Sequence, residues 1–277
     1  YLLKLLYLLN LLYFLKLLYL LKLIYLLKLM NKIIITLLCL IVLFIIFNLI
    51  KKKEHFNSNL ADVSLSINNI DNFNLKKLNE TPEILLIDNF LSKEECDHII
   101  KVGDPLVRKS EVCGRGGSRP DKSRTSWTAH IGKKLLTKNH KDKVLMDVYE
   151  RAAKFCNRNS KNIEPIQLVR YTPGQFFNSH YDYLDTKIPR YAENVKKNGQ
   201  REATFFVYIN DVPDGVGGET HFKKINKTFK GKKGQAIFWF NMRNGKVDPL
   251  TLHSGTEIKK GIKYGLNIWV RDKEYKG

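Results

Sequence analysis

The chain has 277 residues, with 47 Lys and Arg against 27 Asp and Glu, giving a formal charge of +20 at pH 7. At 44% hydrophobic and 11% aromatic residues, it has ample apolar surface to offset chain entropy, which excludes a wholly disordered protein. Gly 17 and Pro 8 exclude a collagen-like repeat, and Cys 4 excludes a disulfide-dense scaffold.

The first thirty residues are a hexapeptide repeat in which Tyr1, Tyr7, Tyr13, Tyr19 and Tyr25 recur among leucines, with Lys4, Asn10, Lys16, Lys22 and Lys28 in step. Six residues turn a helix by about 240° net, so these polar residues scatter around it and no in-plane amphipathic face forms. The first methionine is Met30, and residues 1–29 read as low-complexity sequence upstream of a native start; a genuine hydrophobic tract is the alternative. From Ile33 to Ile50 there is no charge, a run long enough to span about 27 Å as a helix. No small-residue cleavage site follows, so residues 30–50 are expected to be a single-pass membrane anchor rather than a cleaved signal or a buried helix. Lys51–Lys53 favour a cytoplasmic domain, whereas the glycosylation-type tripeptides at Asn79 and Asn226 suit a lumenal one, so sidedness stays open. An endoplasmic-reticulum-type membrane is the expected location.

Residues 51–80 read as a linker and 81–277 as one globular domain. Glu83–Phe90 reads as a strand, and Ser92 with Glu95 as a capping box opening a helix to about Val102. Residues 109–123 read as a loop and Lys141–Asn157 as a helix. Strands follow at Ile166–Tyr171, Ala203–Ile209, Gln235–Phe240 and Tyr264–Val270. Helices first and strands later imply an α+β, mainly β fold: helices packed on a β-sandwich or open barrel. The lysine-rich segment 186–200 reads as a mobile lid, and 241–251 as a polar loop. Cys39, Cys96, Cys113 and Cys156 form no C-x-x-C pair, and their redox state stays open. Basic residues after Lys53 are scattered and match no nucleic-acid-binding motif, so the excess charge reads as a solvated surface.

The chemistry-bearing pattern is His180-Tyr181-Asp182. Two residues apart on a strand, the imidazole and carboxylate share a face. His253 is the best third ligand, and two His with one carboxylate leave three open positions, as in non-haem Fe(II) oxygenases. Ten residues after His253, Lys263 shares a strand face with Gly265, Asn267 and Trp269, opposite the apolar face of Tyr264, Leu266, Ile268 and Val270. A lysine directed into an apolar barrel is costly unless an anion pairs with it, and an acidic co-substrate would supply that anion. His221 faces away by alternation. His55, His98, His130 and His140 carry no partner pattern and read as surface residues, and Gly217-Gly218 reads as a turn rather than a phosphate loop.

The segments Val169–Asp182, Arg201–Val212, Gly217–Phe222, Lys233–Phe240, Leu252–Gly255 and Lys260–Arg271, in this order and spacing, resemble the prolyl 4-hydroxylase family of 2-oxoglutarate- and Fe(II)-dependent dioxygenases. The resemblance covers residues 82–272 and implies a double-stranded β-helix (jelly-roll) core with N-terminal supporting helices. It implies His180, Asp182 and His253 as Fe(II) ligands. Lys263, helped by the Tyr171 and Thr220 hydroxyls, would bind the distal carboxylate of 2-oxoglutarate, and Trp269 would line that pocket. The lysine at 263, where related lysyl hydroxylases carry arginine, favours the prolyl branch. Arg201 takes a catalytic, substrate-side role, and Arg124, Ser126 and Glu164 match peptide-binding positions. The implied reaction is hydroxylation of peptidyl proline at C4, consuming 2-oxoglutarate and O2 and releasing succinate and CO2, with ascorbate keeping the iron reduced. The expected partner is a proline-containing peptide or protein, with no nucleic acid. The sequence leaves subunit state open. The alternatives are an oxygenase acting on another side chain and a catalytically silent jelly-roll binding module.

Overall fold

A computed structural model describes residues 74–277, apart from 115–116 and 137–140, together with positions 16, 18–20, 22 and 44. Contacts divide the chain into two units, Tyr1–Asn59 and Leu60–Gly277. In the first, the described positions are helical and exposed. Among the described residues no helix is long and apolar enough to cross a membrane. The anchor expected over 33–50 and almost all of the hexapeptide repeat lie outside the described residues.

In the second unit the chain runs through β1 (Leu75–Asn79), β2 (Ile84–Ile87), α1 (Lys93–Gly103), β3 (Arg108–Lys109), β4 (Val112–Gly114), β5 (Gly117–Arg119), β6 (Trp127–His130), α2 (Ile131–Leu135) and α3 (Lys143–Phe155). It continues through β7 (Gln167–Tyr171), β8 (Phe177–His180), α4 (Pro189–Asn198), β9 (Arg201–Tyr208), β10 (Thr220–Phe222), β11 (Lys227–Phe229) and β12 (Ala236–Phe240). The last elements are β13 (Met242–Arg243), β14 (Lys246–Val247), β15 (His253–Gly255) and β16 (Lys263–Arg271). The larger sheet has the order β1-β2-β12-β9-β16-β7-β6-β3 and the smaller β11-β10-β15-β8. Every pairing in both is antiparallel, and together they form a jelly roll.

The run Ala203–Ile209 is apolar because β9 is buried on both faces. Phe205 and Val207 join the helix-side core with Phe90, Phe155 and Phe238, while Phe206 and Tyr208 join Phe222 and Trp239 between the sheets. The helix-side aromatics stack at centroid distances of 4.7–5.3 Å, each burial being worth about 1.5–3 kcal/mol. At the start of α1, Ser92 Oγ accepts from the Glu95 amide and the Glu95 carboxylate accepts from the Ser92 amide at 2.8 Å. Arg151 on α3 then grips that same carboxylate at 2.7 and 2.8 Å, joining the two supporting helices.

Four expectations change. Residues 75–79 are not linker but an edge strand paired with β2. The 109–123 loop contains the short hairpin β4–β5. The 186–200 segment holds helix α4, begun by Pro189 at its first turn and ended at Gly199, whose φ of 74° suits glycine. The 241–251 segment contains the β13–β14 hairpin and a short 3-10 turn at Pro249–Thr251. Cys96 and Cys156 are buried free thiols, and burial pushes the Cys96 thiol up to about 12.

Candidate active site

Antiparallel pairing of β8 with β15 sets His180 directly opposite His253, with ring centroids 4.3 Å apart. β8 ends at His180, so Asp182 lies beyond the strand rather than on it. The bend nevertheless returns its carboxylate to 3.7 Å from His180 Nε2 and 3.8 Å from His253 Nε2. One donor atom from each residue falls within 4.8 Å of the others. Each imidazole is oriented by its own chain two residues back: His180 Nδ1 lies 2.8 Å from Asn178 O, and His253 Nδ1 2.9 Å from Thr251 O. A carbonyl only accepts, so both Nδ1 atoms carry hydrogen and both Nε2 lone pairs are left for a metal. Phe177 stacks on His180 at 3.6 Å and Trp239 meets His253 edge-on at 4.8 Å, which fixes both rings. Burial, then repulsion from His253, lowers the His180 pKa to about 3, so the ring is neutral and able to ligate. Burial pushes the Asp182 pKa up, but His253, His180, Arg201 and the Thr204 hydroxyl together hold it below the usual carboxylate range. Two imidazoles with their Nε2 atoms free and one anionic carboxylate fit a divalent iron with open coordination positions.

Lys263, at the start of β16 and paired with Tyr171 of β7, is 2% exposed. Its ammonium lies 4.6 Å from the Phe206 ring, 5.3 Å from Tyr208 and 5.4 Å from Tyr171. No described carboxylate comes within ion-pair distance of it. Burial lowers its pKa to about 7, against a weaker upward pull from Glu219. Lys263 and the three metal-type donors line one inner cavity, together with Tyr171, Thr220, Asn267 and Trp269. An unpaired buried cation beside such donors fits an anionic co-substrate that reaches from the metal to the lysine. Gly217 and Gly218, at φ 86° and 84°, let the chain pass close over this end; a Cβ on Gly218 would lie 3.3 Å from Lys263 Cδ. Thr220 Oγ1 is 2.8 Å from the Tyr208 hydroxyl, a partner that the sequence reading did not single out.

An outer cleft of about 810 Å3 opens over His180 and Asp182 and is lined by Arg124, Arg201, Trp269, Tyr181, Tyr183 and Tyr191 among others. Arg124 is buried with its charge unpaired by any described carboxylate: it donates to Gln167 Oε1 at 2.8 Å and lies 4.7 Å over Phe177. Ser126 and Glu164, expected to touch peptide, do not line the cleft. Ser126 is wholly buried against Ser110 and the Arg124 Nε. Both Glu164 oxygens are occupied by Arg201, at 2.6 and 2.8 Å, and Oε1 also accepts from Arg271 at 2.6 Å. Arg201 stacks 3.8 Å over Trp269 and donates to the Asp182 carbonyl at 3.2 Å, so it braces a metal-type donor from the cleft wall. Of the remaining histidines, His221 bonds Thr228 at 3.0 Å outside the site. His98 and His130 are not free surface rings, since they meet Asp142 at 2.8 Å and Gln167 at 3.3 Å.

A sequence model of the 2OG-Fe(II) oxygenase superfamily matches residues 166–271, a span that holds all three metal-type donors and Lys263. Prolyl 4-hydroxylase 5 of Arabidopsis thaliana is 32% identical over 217 residues, covering 70% of this chain and 70% of that protein. Prolyl 4-hydroxylase 1 of the same plant is 31% identical over 207 residues, again covering 70% of each. The chain belongs to the prolyl 4-hydroxylase family. A crystal structure of the viral collagen prolyl hydroxylase of Paramecium bursaria Chlorella virus-1, in complex with 2OG, is similar at 30% identity and a TM-score of 0.51, covering 68% of this chain and 95% of that one. As a prolyl 4-hydroxylase-family protein, the chain carries at its site several residues that the sequence reading passed over: Thr204, Tyr208, Trp239 and Asn241. All but Asn241 lie on strands, where they read as ordinary sheet residues. Only the alternation of β9 and β12, which sends every second side chain inward, signals the three strand residues in advance.

Proposed function

We propose that this protein hydroxylates peptidyl proline at C4, consuming 2-oxoglutarate and O2 and releasing succinate and CO2. The observation that carries the reading is the pairing of two imidazoles and a carboxylate with a buried lysine, unpaired among the described residues, in one cavity. Bound Fe(II) would supply the oxidation of the target C–H bond, coupled to decarboxylation of the co-substrate. His180, Asp182 and His253 hold the metal through the Nε2 atoms and one carboxylate. Lys263 takes the distal carboxylate of 2-oxoglutarate, with Tyr171, Thr220 and Trp269 as the remaining walls of its pocket. Arg201 holds Asp182 in place, and Arg124 presents its guanidinium where the inner cavity meets the outer cleft. The peptide lies in the outer cleft, and its aromatic rim suits the apolar pyrrolidine ring of proline. Ascorbate serves to reduce iron oxidised in idle turnovers, and residues 33–50 tether the domain to an endoplasmic-reticulum-type membrane; the first rests on the family and the second on the uncharged run of sequence.

The test is succinate release by the purified protein with Fe(II) and 2-oxoglutarate over a panel of proline-containing peptides. Product peptides are then sequenced by mass spectrometry for a single added oxygen at proline. Turnover that requires the peptide and disappears in His180→Ala supports the reading. Absence of succinate release with every peptide overturns it, and oxygen added to another side chain moves the assignment to a different oxygenase.

A further inference from the structure

Beside the metal-type donors lies a chain of buried polar side chains that ends on Asp182. Thr204 Oγ1 is 2.9 Å from Asp182 Oδ2, Asn241 Nδ2 is 2.9 Å from Thr204 Oγ1, and Trp239 Nε1 is 2.9 Å from Asn241 Oδ1. Thr204 and Asn241 are wholly buried and Trp239 is 1% exposed. The pairing of β9 with β12 puts Thr204 opposite Trp239. Asn241 follows the end of β12, and its amide N–H donates to the Glu202 carbonyl at 2.7 Å.

Amide and hydroxyl orientations are ordinarily ambiguous, but here one group removes the ambiguity. An indole N–H only donates, so the Asn241 oxygen must face Trp239 and its NH2 must face Thr204. The Thr204 oxygen therefore accepts, and its own hydrogen is directed to Asp182 Oδ2. An Asp182 carboxylate that only accepts is an anion with its plane fixed and with Oδ1 left free. The Trp239 ring also packs edge-on against His253, so one side chain steadies two of the three donors.

We propose that Trp239, Asn241 and Thr204 form a one-way hydrogen-bond relay that positions Asp182 for metal binding. The inference rests on the metal-binding reading of His180, Asp182 and His253, and it makes the three relay members positioning residues, since none of them carries a metal-type donor atom toward the site. Outer hydrogen bonds of this kind typically govern metal affinity by about 10- to 100-fold.

The probe is Co(II), titrated into the apoprotein and followed by its visible absorption, whose bands report ligand number and geometry. Thr204→Val keeps the shape and removes the hydroxyl; the expected result is Co(II) binding weakened by about 10- to 100-fold, with altered bands. Thr204→Ser restores the hydroxyl and is expected to bind within a few-fold of the unaltered protein. Unchanged affinity and bands in Thr204→Val overturn the relay. So does an equal loss in Thr204→Ser, which would mark a packing role. Should Thr204→Val fail to fold, Trp239→Phe keeps the aromatic bulk but frees Asn241 to turn over: weakened Co(II) binding supports the relay and unchanged binding overturns it. If the unaltered protein takes up no Co(II), the metal reading falls and the relay falls with it.

Discussion

Lys263 is the residue whose environment is most at odds with its chemistry. A cation enclosed by Phe206, Tyr171 and Tyr208 with no described carboxylate at ion-pair distance destabilises the fold. Its pKa falls from 10.5 to about 7 because burial disfavours the charge. Between those values the unfolded chain binds the proton and the folded one does not, so this residue's contribution to stability increases as pH rises through that window. A dicarboxylate in the cavity reverses the preference and restores the ammonium. Binding of 2-oxoglutarate to the metal-loaded protein at about pH 8 is therefore expected to take up a proton. Calorimetry in buffers of differing ionisation enthalpy checks this, because the observed heat then varies with the buffer. A heat independent of buffer would contradict it. Lys263→Met is expected to lose co-substrate binding while raising the unfolding temperature of the free protein, since an apolar chain of similar volume replaces an unpaired buried charge.

Among the elements, the C-terminal strand β16 is tied to the site by charge as well as by sheet pairing. Arg271 at its end and Arg201 at the start of β9 share the Glu164 carboxylate, and Arg271 also reaches Asn194 on α4 at 2.9 Å. Burial raises the Glu164 pKa, but the two guanidiniums more than reverse this and hold it below the usual carboxylate range. Glu164→Gln keeps the shape and leaves the buried Arg271 and the half-buried Arg201 without their anion. The expected cost is about 3–5 kcal/mol in denaturant unfolding, with weaker metal binding, because Arg201 also holds the Asp182 carbonyl. A loss under about 1 kcal/mol would show that the guanidiniums find other partners. This network accounts for Glu164 and Ser126 failing to touch the cleft: both stand one contact behind residues that do. A motif match places such residues near a site but does not separate the wall from the support behind it.

Over the whole molecule, the charge of +20 is not neutralised at the cleft. Arg108, Lys109 and Lys134 stand exposed along the outer cleft, with Glu111 as the exposed acid there. Such a field attracts acidic ligands over a range that salt shortens to about 10 Å at 0.1 M. Peptides with Asp or Glu flanking the proline are expected to show higher kcat/KM than lysine-flanked ones at low ionic strength, the gap closing as salt is added. Steady-state kinetics over a salt series checks this. Equal values for both peptides at the lowest salt would place substrate choice in shape rather than charge.

The sequence by itself determined the elements with strong local signals. The Ser92 capping box, the helix Lys143–Phe155 and the doubly buried strand β9 carry their patterns in neighbouring residues, where 3.6- and 2-residue periods operate. It also pointed to His180, Asp182, His253 and Lys263 as candidates, through the resemblance to the family rather than through the short H-x-D pattern alone. The edge strand at Leu75–Asn79 was not legible, since its polar sequence is ordered only by pairing with β2. Nor was the end of β8 before Asp182, where the bend rather than strand alternation brings the carboxylate home. Only the tertiary structure decided that Thr204 and Asn241, which lie 37 residues apart, meet behind Asp182, and that Glu164 is held between two arginines. Those contacts depend on sheet register and on burial, which force distant polar groups to find one another once water is excluded, and neither is written in any local stretch of the chain.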